Sequence, residues 1–525
     1  MKQAKTIMLQ GTASDVGKSV LTAALCKILT DDGYRVAPFK SQNMSLNSYV
    51  TWDGKEIGRA QGMQADACRI LATTDMNPIL LKPKQDMVSQ VIVHGKPLGD
   101  FAAKVYREQI LAEAGPIVKE ALGRLRAGHD VVVLEGAGSP AEINLKDRDI
   151  VNMRAAAWAD APVILVADID RGGMFASIVG TLELLEPEER ERVCGFIVNK
   201  FRGDVSLLQP GLNWLEQKTG KPVLGVIPFL PDLGLEDEDS LSLDTKLRMR
   251  GDRGSILTGR EQVDLAIIRL PHISNFTDID PFAHEADVHV RFITSAEEWG
   301  EPDAVILPGS KNTVDDLLFL RRSGLAERLQ QYRKRGGRIV GLCGGYEMMG
   351  RRLLDPQHSE SDRDEAEALG WFPFDVAFAA EKRTVRVAGT VALPQIAGHY
   401  AIEGYEIHTG TVHWLAGSSD GIVQPITLFS GQAAEGVPEG CAAADGKVWG
   451  TFVHGIMDND HFRRAWINAL RQAKGWQPAA GEVRVHERRE LAFVRLAEHV
   501  RQHADIARIK RMIGLEAECN GDASI

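Results

Sequence analysis

Two clusters in this sequence have the residue types and spacing to do chemistry. Near the start, a short apolar run leads into Gly11-Thr12-Ala13-Ser14-Asp15-Val16-Gly17-Lys18-Ser19 and then a helical pattern. Backbone N–H groups in such a loop, with the positive end of the next helix, form an anion site. Gly11, Thr12 and Gly17 would cradle the phosphates of ATP, Lys18 would reach the β and γ phosphates, and the Ser19 hydroxyl would ligate Mg²⁺. Five residues, not the usual four, separate Gly11 from Gly17. Far downstream, Arg338-Ile339-Val340-Gly341-Leu342-Cys343-Gly344-Gly345-Tyr346-Glu347 reads as a strand, a glycine-flanked cysteine and a helix. That is the sulfur form of a nucleophile elbow, in which small neighbours tolerate a strained turn. A free thiol of pKa about 8.5 is only slightly ionised at neutral pH, so the following helix N-terminus is expected to stabilise the Cys343 thiolate. A base is needed, and Thr451-Phe452-Val453-His454-Gly455 puts His454 at a strand end; His408, in Gly404-Tyr405-Glu406-Ile407-His408, competes. Gly309, in Leu307-Pro308-Gly309-Ser310-Lys311-Asn312-Thr313, and the Gly344 N–H are the candidate oxyanion donors.

These residues need elements to hold them. Apolar runs at 6–9, 36–39, 131–134, 163–166, 196–198 and 223–227 are rich in Val, Ile and Leu and do not alternate, which is the pattern of strands buried on both faces of a parallel sheet. Helical patterns at 19–31 and 101–127 lie between them. A second series of apolar runs occupies 263–268, 304–307, 338–342 and 448–453. Alternating strands and helices predict an α/β protein of two domains. Residues 1–230 form a P-loop parallel-sheet domain and 263–460 a flavodoxin-like domain. An acidic then basic stretch over 231–262 is a linker outside both cores, and 461–525 is a helical extension (491–512) with a polar tail.

The variant phosphate loop resembles dethiobiotin synthetase and its relatives, which use ATP to phosphorylate a carboxylate. Two segments support that resemblance. Val36-Ala37-Pro38-Phe39-Lys40 places Lys40 at a strand end, where it would neutralise the transferred phosphoryl group. Val131-Val132-Val133-Leu134-Glu135 ends a strand with an acid where a Mg²⁺ ligand is expected. Asp66 is a further candidate metal ligand, and Asn199 suits recognition of the adenine edge. The cysteine elbow with His454 resembles the class I glutamine amidotransferases, which release ammonia from glutamine through a cysteine thioester. Those proteins usually carry His-x-Glu, whereas position 456 here is Ile. The site is therefore a Cys–His dyad, or its orienting group comes from elsewhere.

Together with Phe39-Lys40-Ser41-Gln42-Asn43-Met44-Ser45-Leu46-Asn47-Ser48, these strings closely resemble the cobyric acid synthase family. The resemblance implies ATP- and glutamine-dependent amidation of the b, d, e and g carboxylates of adenosylcobyrinic acid a,c-diamide, a corrin polycarboxylate. Glutamine, ATP with Mg²⁺ and the corrin are the implied partners, with no tightly bound prosthetic group, and residues 41–48 would face the corrin. Alternatives are a cobyrinic acid a,c-diamide synthase, a CTP synthase, or a ParA-like nucleotide switch carrying a non-catalytic amidotransferase-like module.

Composition bounds these readings. The chain has 525 residues, a net charge of −11, 44% hydrophobic and 25% charged residues. That is ordinary globular composition and argues against a broad nucleic-acid surface. No apolar run nears the roughly 18–20 residues of a membrane span, and the start does not read as a secretory signal. Six cysteines without C-x-x-C spacing indicate neither zinc nor a disulfide framework, so a reducing, cytoplasmic compartment is expected.

Overall fold

The computed structural model describes residues 3–515 except 86, 232, 236–260, 416, 418–420, 430–435 and 482. The described residues fall into two compact units. The first draws on Met1–Ser45, Glu56–Leu235 and Arg489–Ile525, and the second on Leu46–Lys55 and Glu236–Arg488.

In the first unit, six strands form one parallel sheet: in order, Val223–Pro228, Val193–Phe201, Val163–Asp168, Lys5–Gly11, Val131–Glu135 and Val36–Phe39. The middle strands are buried almost throughout, as their unbroken Val/Ile/Leu runs require. Lys5–Gly11 lies between Val163–Asp168 and Val131–Glu135, so the loop after Gly11 emerges between Asp168 and Glu135 at the sheet's carboxyl edge. Open α/β sheets bind ligands at that edge.

The expected helix over 101–127 holds except at its first two residues: the chain is helical through Ala103–Val105, a π-helical Tyr106–Ile110 and Leu111–Gly128. Lys96–Ala102 is a strand of a separate four-stranded sheet with Gln42–Met44, Ile79–Gln85 and Val88–Val93, and the main helix is Leu111–Gly128. Antiparallel pairing to Val88–Val93 outweighs the helical pattern of Phe101 and Ala102. The expected 491–512 helix is two, Val485–His503 and Ile506–Met512. From Arg489 onward these belong to the first unit. Phe493, Leu496, Val500, Ile509 and Ile513 are buried in its core with Cys26, Ile28 and Leu29 of the helix that follows the phosphate loop. Most of the expected linker and the tail at 516–525 lie outside the described residues. The linker's described ends do pack: Leu233 and Leu235 lie against the first unit's core, and the Glu261 carboxylate accepts from Arg471.

In the second unit, five parallel strands run in the order Val288–Ile293, Val263–Ile268, Ala304–Leu307, Arg338–Leu342, Val448–Thr451. By chain position this is 2-1-3-4-5, the flavodoxin-like order. A mixed sheet built on the long antiparallel hairpin Phe374–Val391/Tyr400–Trp414 accompanies it, unforeseen from sequence. Among the described residues no helix is long and apolar enough to cross a membrane, and the five described cysteines are free.

Phe493 is fully buried in the first unit. Phe493→Ala should lower that unit's stability by about 3–5 kcal/mol through transfer and cavity terms. Urea unfolding of the full chain checks this, and a change below about 1 kcal/mol would show that the C-terminal helix is not a core element of the unit.

Candidate active sites

The phosphate loop is tied on both sides. Gly17 caps the helix Lys18–Asp31 at φ +95°, a left-handed conformation that favours glycine. A Cβ there would sit 2.3 Å from Asn199 Nδ2. That amide donates to the Val16 carbonyl at 2.8 Å, so Asn199 braces the loop's backbone. The Thr12 N–H bonds to the Val166 carbonyl at 2.9 Å, continuing the strand ladder into the loop. The Lys18 ammonium is held over the loop by the carbonyls of Ala13 (2.9 Å) and Gly138 (3.2 Å).

Glu135 is the centre of this site. One oxygen accepts from Ser19 Oγ (2.8 Å) and Lys40 Nζ (2.9 Å), and the other from Gln64 Nε2 (2.5 Å). The carboxylate is 1% exposed. A buried charge persists only when paired and hydrogen-bonded, and three donors meet that need here. Ser19 and Glu135 present hard oxygen donors at one point, which fits Mg²⁺. Among the described residues no group of three His, Cys, Asp or Glu forms a protein cage. Mg²⁺ usually keeps waters and phosphate oxygens as its remaining ligands, so two protein oxygens suffice.

The expectation for Asp66 is corrected. It faces Arg489 at 3.8 Å, while Gln64, two residues earlier on the same helix, reaches Glu135. Residues two apart on a helix point in different directions, so only one could face the site. Sequence reading missed Gln64. Its signal was a helix, Arg59–Ala67, whose polar residues Arg59, Gln61 and Gln64 are all buried. Asp168 was missed too. It ends a central strand, as Glu135 does, and pairs with Lys200 at 2.9 Å.

In the second unit, Cys343 leaves the strand Arg338–Leu342 at φ +48°, the strained turn expected of an elbow. Gly344 permits the close approach of the 309–313 loop, since a Cβ there would lie 2.9 Å from Ser310 N. At Gly309 a Cβ would lie 3.3 Å from His454 Cε1. Both candidate oxyanion residues thus border the site. Burial pushes the Cys343 thiol well above its usual range, and the nearby carboxylates of Glu347, Asp278 and Glu360 push the same way, opposed by the Gly344 N–H. The expected helix-stabilised thiolate is corrected. The following helix, Gly344–Glu347, is four residues long and brings Glu347 with it, so the resting group is the thiol.

His454 is buried, its ring stacked on Tyr405 (centroids 5.2 Å apart). Its Nδ1 lies 2.6 Å from Asp278 Oδ2, while Asp278 Oδ1 accepts from the Gly455 N–H at 2.8 Å. Asp278 supplies the histidine with the carboxylate that a His-x-Glu sequence would carry, yet it lies 176 residues upstream of the histidine. Of the two alternatives left by sequence, the structure holds the orienting group from elsewhere. Among the described residues no carboxylate bonds the His408 ring: Nδ1 bonds the Gly410 carbonyl, and the ring stacks 3.8 Å from Phe452. Burial pulls its pKa down to about 4.

Beside the thiol, Glu347 accepts from Thr313 Oγ1 at 2.8 Å, and Glu360 lies 4.0 Å from Lys311. Burial raises Glu347 to about 8, Glu360 adds to the rise, and Thr313 and Lys311 oppose it.

Family comparisons agree with these two sites. Residues 7–243 match the CobQ/CobB/MinD/ParA nucleotide binding domain, and residues 264–462 match the CobB/CobQ-like glutamine amidotransferase domain. The chain thus joins a nucleotide-binding domain to a glutamine amidotransferase domain. It is 49% identical to the cobyric acid synthase of Desulforamulus reducens over 98% of this chain and 99% of that one. It is 48% identical to that of Geobacillus kaustophilus over 98% of each. A third, from Sorangium cellulosum, is 49% identical over 98% of this chain and 99% of its own. The chain belongs to the cobyric acid synthase family, glutamine-hydrolysing carbon–nitrogen ligases.

A carboxyl group whose pKa is raised by folding binds more protons folded than unfolded, so its contribution to stability falls as pH rises from about 4.5 to about 8. Glu347→Gln should therefore gain melting temperature over the unmodified protein at pH 8 and lose that gain at pH 5. Equal differences at both pH values would show that Glu347 titrates normally.

Proposed function

We propose that this protein amidates the b, d, e and g carboxylates of adenosylcobyrinic acid a,c-diamide, using ATP to activate each carboxylate and glutamine to supply ammonia. The observation that carries this reading is the His454–Asp278 hydrogen bond beside the Gly309–Ser310 loop, which also borders the Cys343–Gly344 elbow, on a chain that also gathers Ser19 and Lys40 on Glu135 next to the Lys18 phosphate loop. The substrate class follows from the relatives named cobyric acid synthase.

In the first unit, a substrate carboxylate oxygen attacks the γ-phosphorus of ATP, giving an acyl phosphate and ADP. Lys18 and Lys40 neutralise charge on the transferred group, and the loop N–H groups orient it; positioning and charge compensation are the main demands of phosphoryl transfer. Mg²⁺, held by Ser19 and Glu135, would supply further charge neutralisation at the phosphates. Asn199 keeps the loop in shape beneath the nucleotide.

In the second unit, His454 Nε2 takes the Cys343 proton as sulfur attacks the glutamine carboxamide carbon. The raised thiol pKa makes this base indispensable. Asp278 accepts from Nδ1–H, which fixes the tautomer with a free lone pair on Nε2 and stabilises the imidazolium that forms. Gly344 N–H and the Gly309 loop bear the oxyanion. His454 returns the proton to the departing nitrogen, and water hydrolyses the thioester to glutamate. Ammonia then attacks the acyl phosphate, releasing phosphate and leaving the amide.

Cys343→Ala should lose glutamine-dependent amidation while retaining turnover with added ammonium at raised pH; retained glutamine use would displace Cys343 as nucleophile. Lys18→Ala should lose amidation from both nitrogen sources. Asp278→Asn should lower glutamine-dependent kcat by about 10²–10⁴, by analogy with the wrong tautomer in a serine-protease triad. Mass analysis of the corrin product should show four added amides on the a,c-diamide. Two additions on cobyrinic acid would favour the a,c-diamide synthase instead.

A further inference from the structure

The base His454 has a second polar neighbour that the reaction above does not use. Asn275 Nδ2 lies 3.4 Å from His454 Nε2. With Nδ1–H directed to Asp278, Nε2 carries the lone pair, and the Asn275 amide is the donor to it. That lone pair is the one that must take the Cys343 proton. Asn275 is itself buried and sits in the left-handed region at φ +50°, so it is fixed by its surroundings.

What fixes it is a distant piece of sequence. Asn275 Oδ1 accepts from the Ser48 N–H at 3.0 Å, and the Phe276 N–H donates to Asn47 Oδ1 at 3.3 Å. The bonds are reciprocal: each strand of chain gives one backbone N–H and one carboxamide oxygen. Leu46–Lys55 packs within the second unit, although the residues just before it, through Ser45, belong to the first. It is anchored further by the Arg386 side chain, which donates to the Val50 carbonyl at 3.2 Å and lies over the Tyr49 ring at 5.6 Å. Residues 275–278 therefore hold both ring nitrogens of His454, and Asn47–Ser48 hold residues 275–276.

We propose that Asn275 is a positioning residue that occupies the His454 Nε2 lone pair until binding of the carboxylate substrate draws on the Asn47–Ser48 segment, so that glutamine is hydrolysed only when an acceptor is present. This rests on the reading of Cys343 and His454 as the glutaminase pair and of residues 41–48 as the corrin-facing string. The chemistry gives such a device a reason: ammonia made without an acyl phosphate is lost, and the glutamine with it.

The test is glutamate release by the full-length protein with glutamine and ATP-Mg²⁺, with and without adenosylcobyrinic acid a,c-diamide. In the unmodified protein the corrin should stimulate release severalfold. Asn275→Gly tolerates the left-handed backbone and removes the amide. It should raise corrin-free release by about tenfold, the scale of one lost hydrogen bond, and bring the stimulation ratio toward one. Asn47→Ala leaves Asn275 in place and removes its support, and should shift the ratio the same way by less. Circular dichroism and melting establish that both variants are folded. An unchanged ratio in folded Asn275→Gly, or an equal fall with and without corrin, would overturn the proposal. Adding Cys343→Ala to Asn275→Gly separates the two levels. Loss of all glutamate release leaves the glutaminase reading intact and the ratio decisive, whereas persistent release overturns the reading and the proposal with it.

Discussion

The hydrogen bond between the Asp278 carboxylate and His454 Nδ1 is the interaction on which the second unit's chemistry depends. Burial holds the proton on the Cys343 thiol, and the acidic groups around it push the same way. In such surroundings an unassisted thiol is a poor nucleophile, and only a base with a free lone pair can remove the proton. Asp278 fixes that lone pair on Nε2. In the proposed reaction, the elbow's strained backbone, the loop at Gly309 and the stacking of Tyr405 on the imidazole would all serve to keep sulfur, base and oxyanion donors together around this one bond.

The first unit solves a related problem with the opposite sign. Here a buried carboxylate, Glu135, is hydrogen-bonded by three donors from three different elements: Ser19 after the phosphate loop, Lys40 at a strand end and Gln64 on a helix. Burying both Lys40 and Glu135 has a large desolvation penalty that their pairing only partly offsets. In the proposed reaction the arrangement is better understood as preorganisation: the donors and the candidate metal ligand are already assembled, so little rearrangement would accompany phosphoryl transfer. Each sheet delivers its functional groups at the carboxyl ends of adjacent strands, which is why two unrelated reactions are served by the same kind of edge.

The units are not consecutive stretches of chain. Leu46–Lys55 belongs to the second and the C-terminal helices from Arg489 onward to the first. Both excursions have physical causes. The short one is held by backbone and carboxamide bonds to Asn275 and Phe276, and the long one by the apolar face of Phe493, Leu496 and Val500. Neither leaves a signature in local periodicity, because periodicity reports that a face is buried and not against what.

By itself the sequence determined the elements and the residues whose meaning is local. The unbroken apolar strands, the Gly17-Lys18-Ser19 loop and the glycines around Cys343 each carry their structural consequence within a few neighbours, so the phosphate loop and elbow were legible from spacing alone. Strand-end acids and bases such as Glu135, Lys40 and His454 were legible because a parallel sheet fixes where strand ends go. Only the tertiary structure decided which groups meet. It supplied Asp278 to a histidine 176 residues away, exchanged Asp66 for Gln64, spread the long antiparallel hairpin beside the second sheet and, by burial, pushed up the pKa of Cys343. Those outcomes depend on distances and on exclusion of water, which are set when remote segments pack and which no run of neighbouring residues encodes.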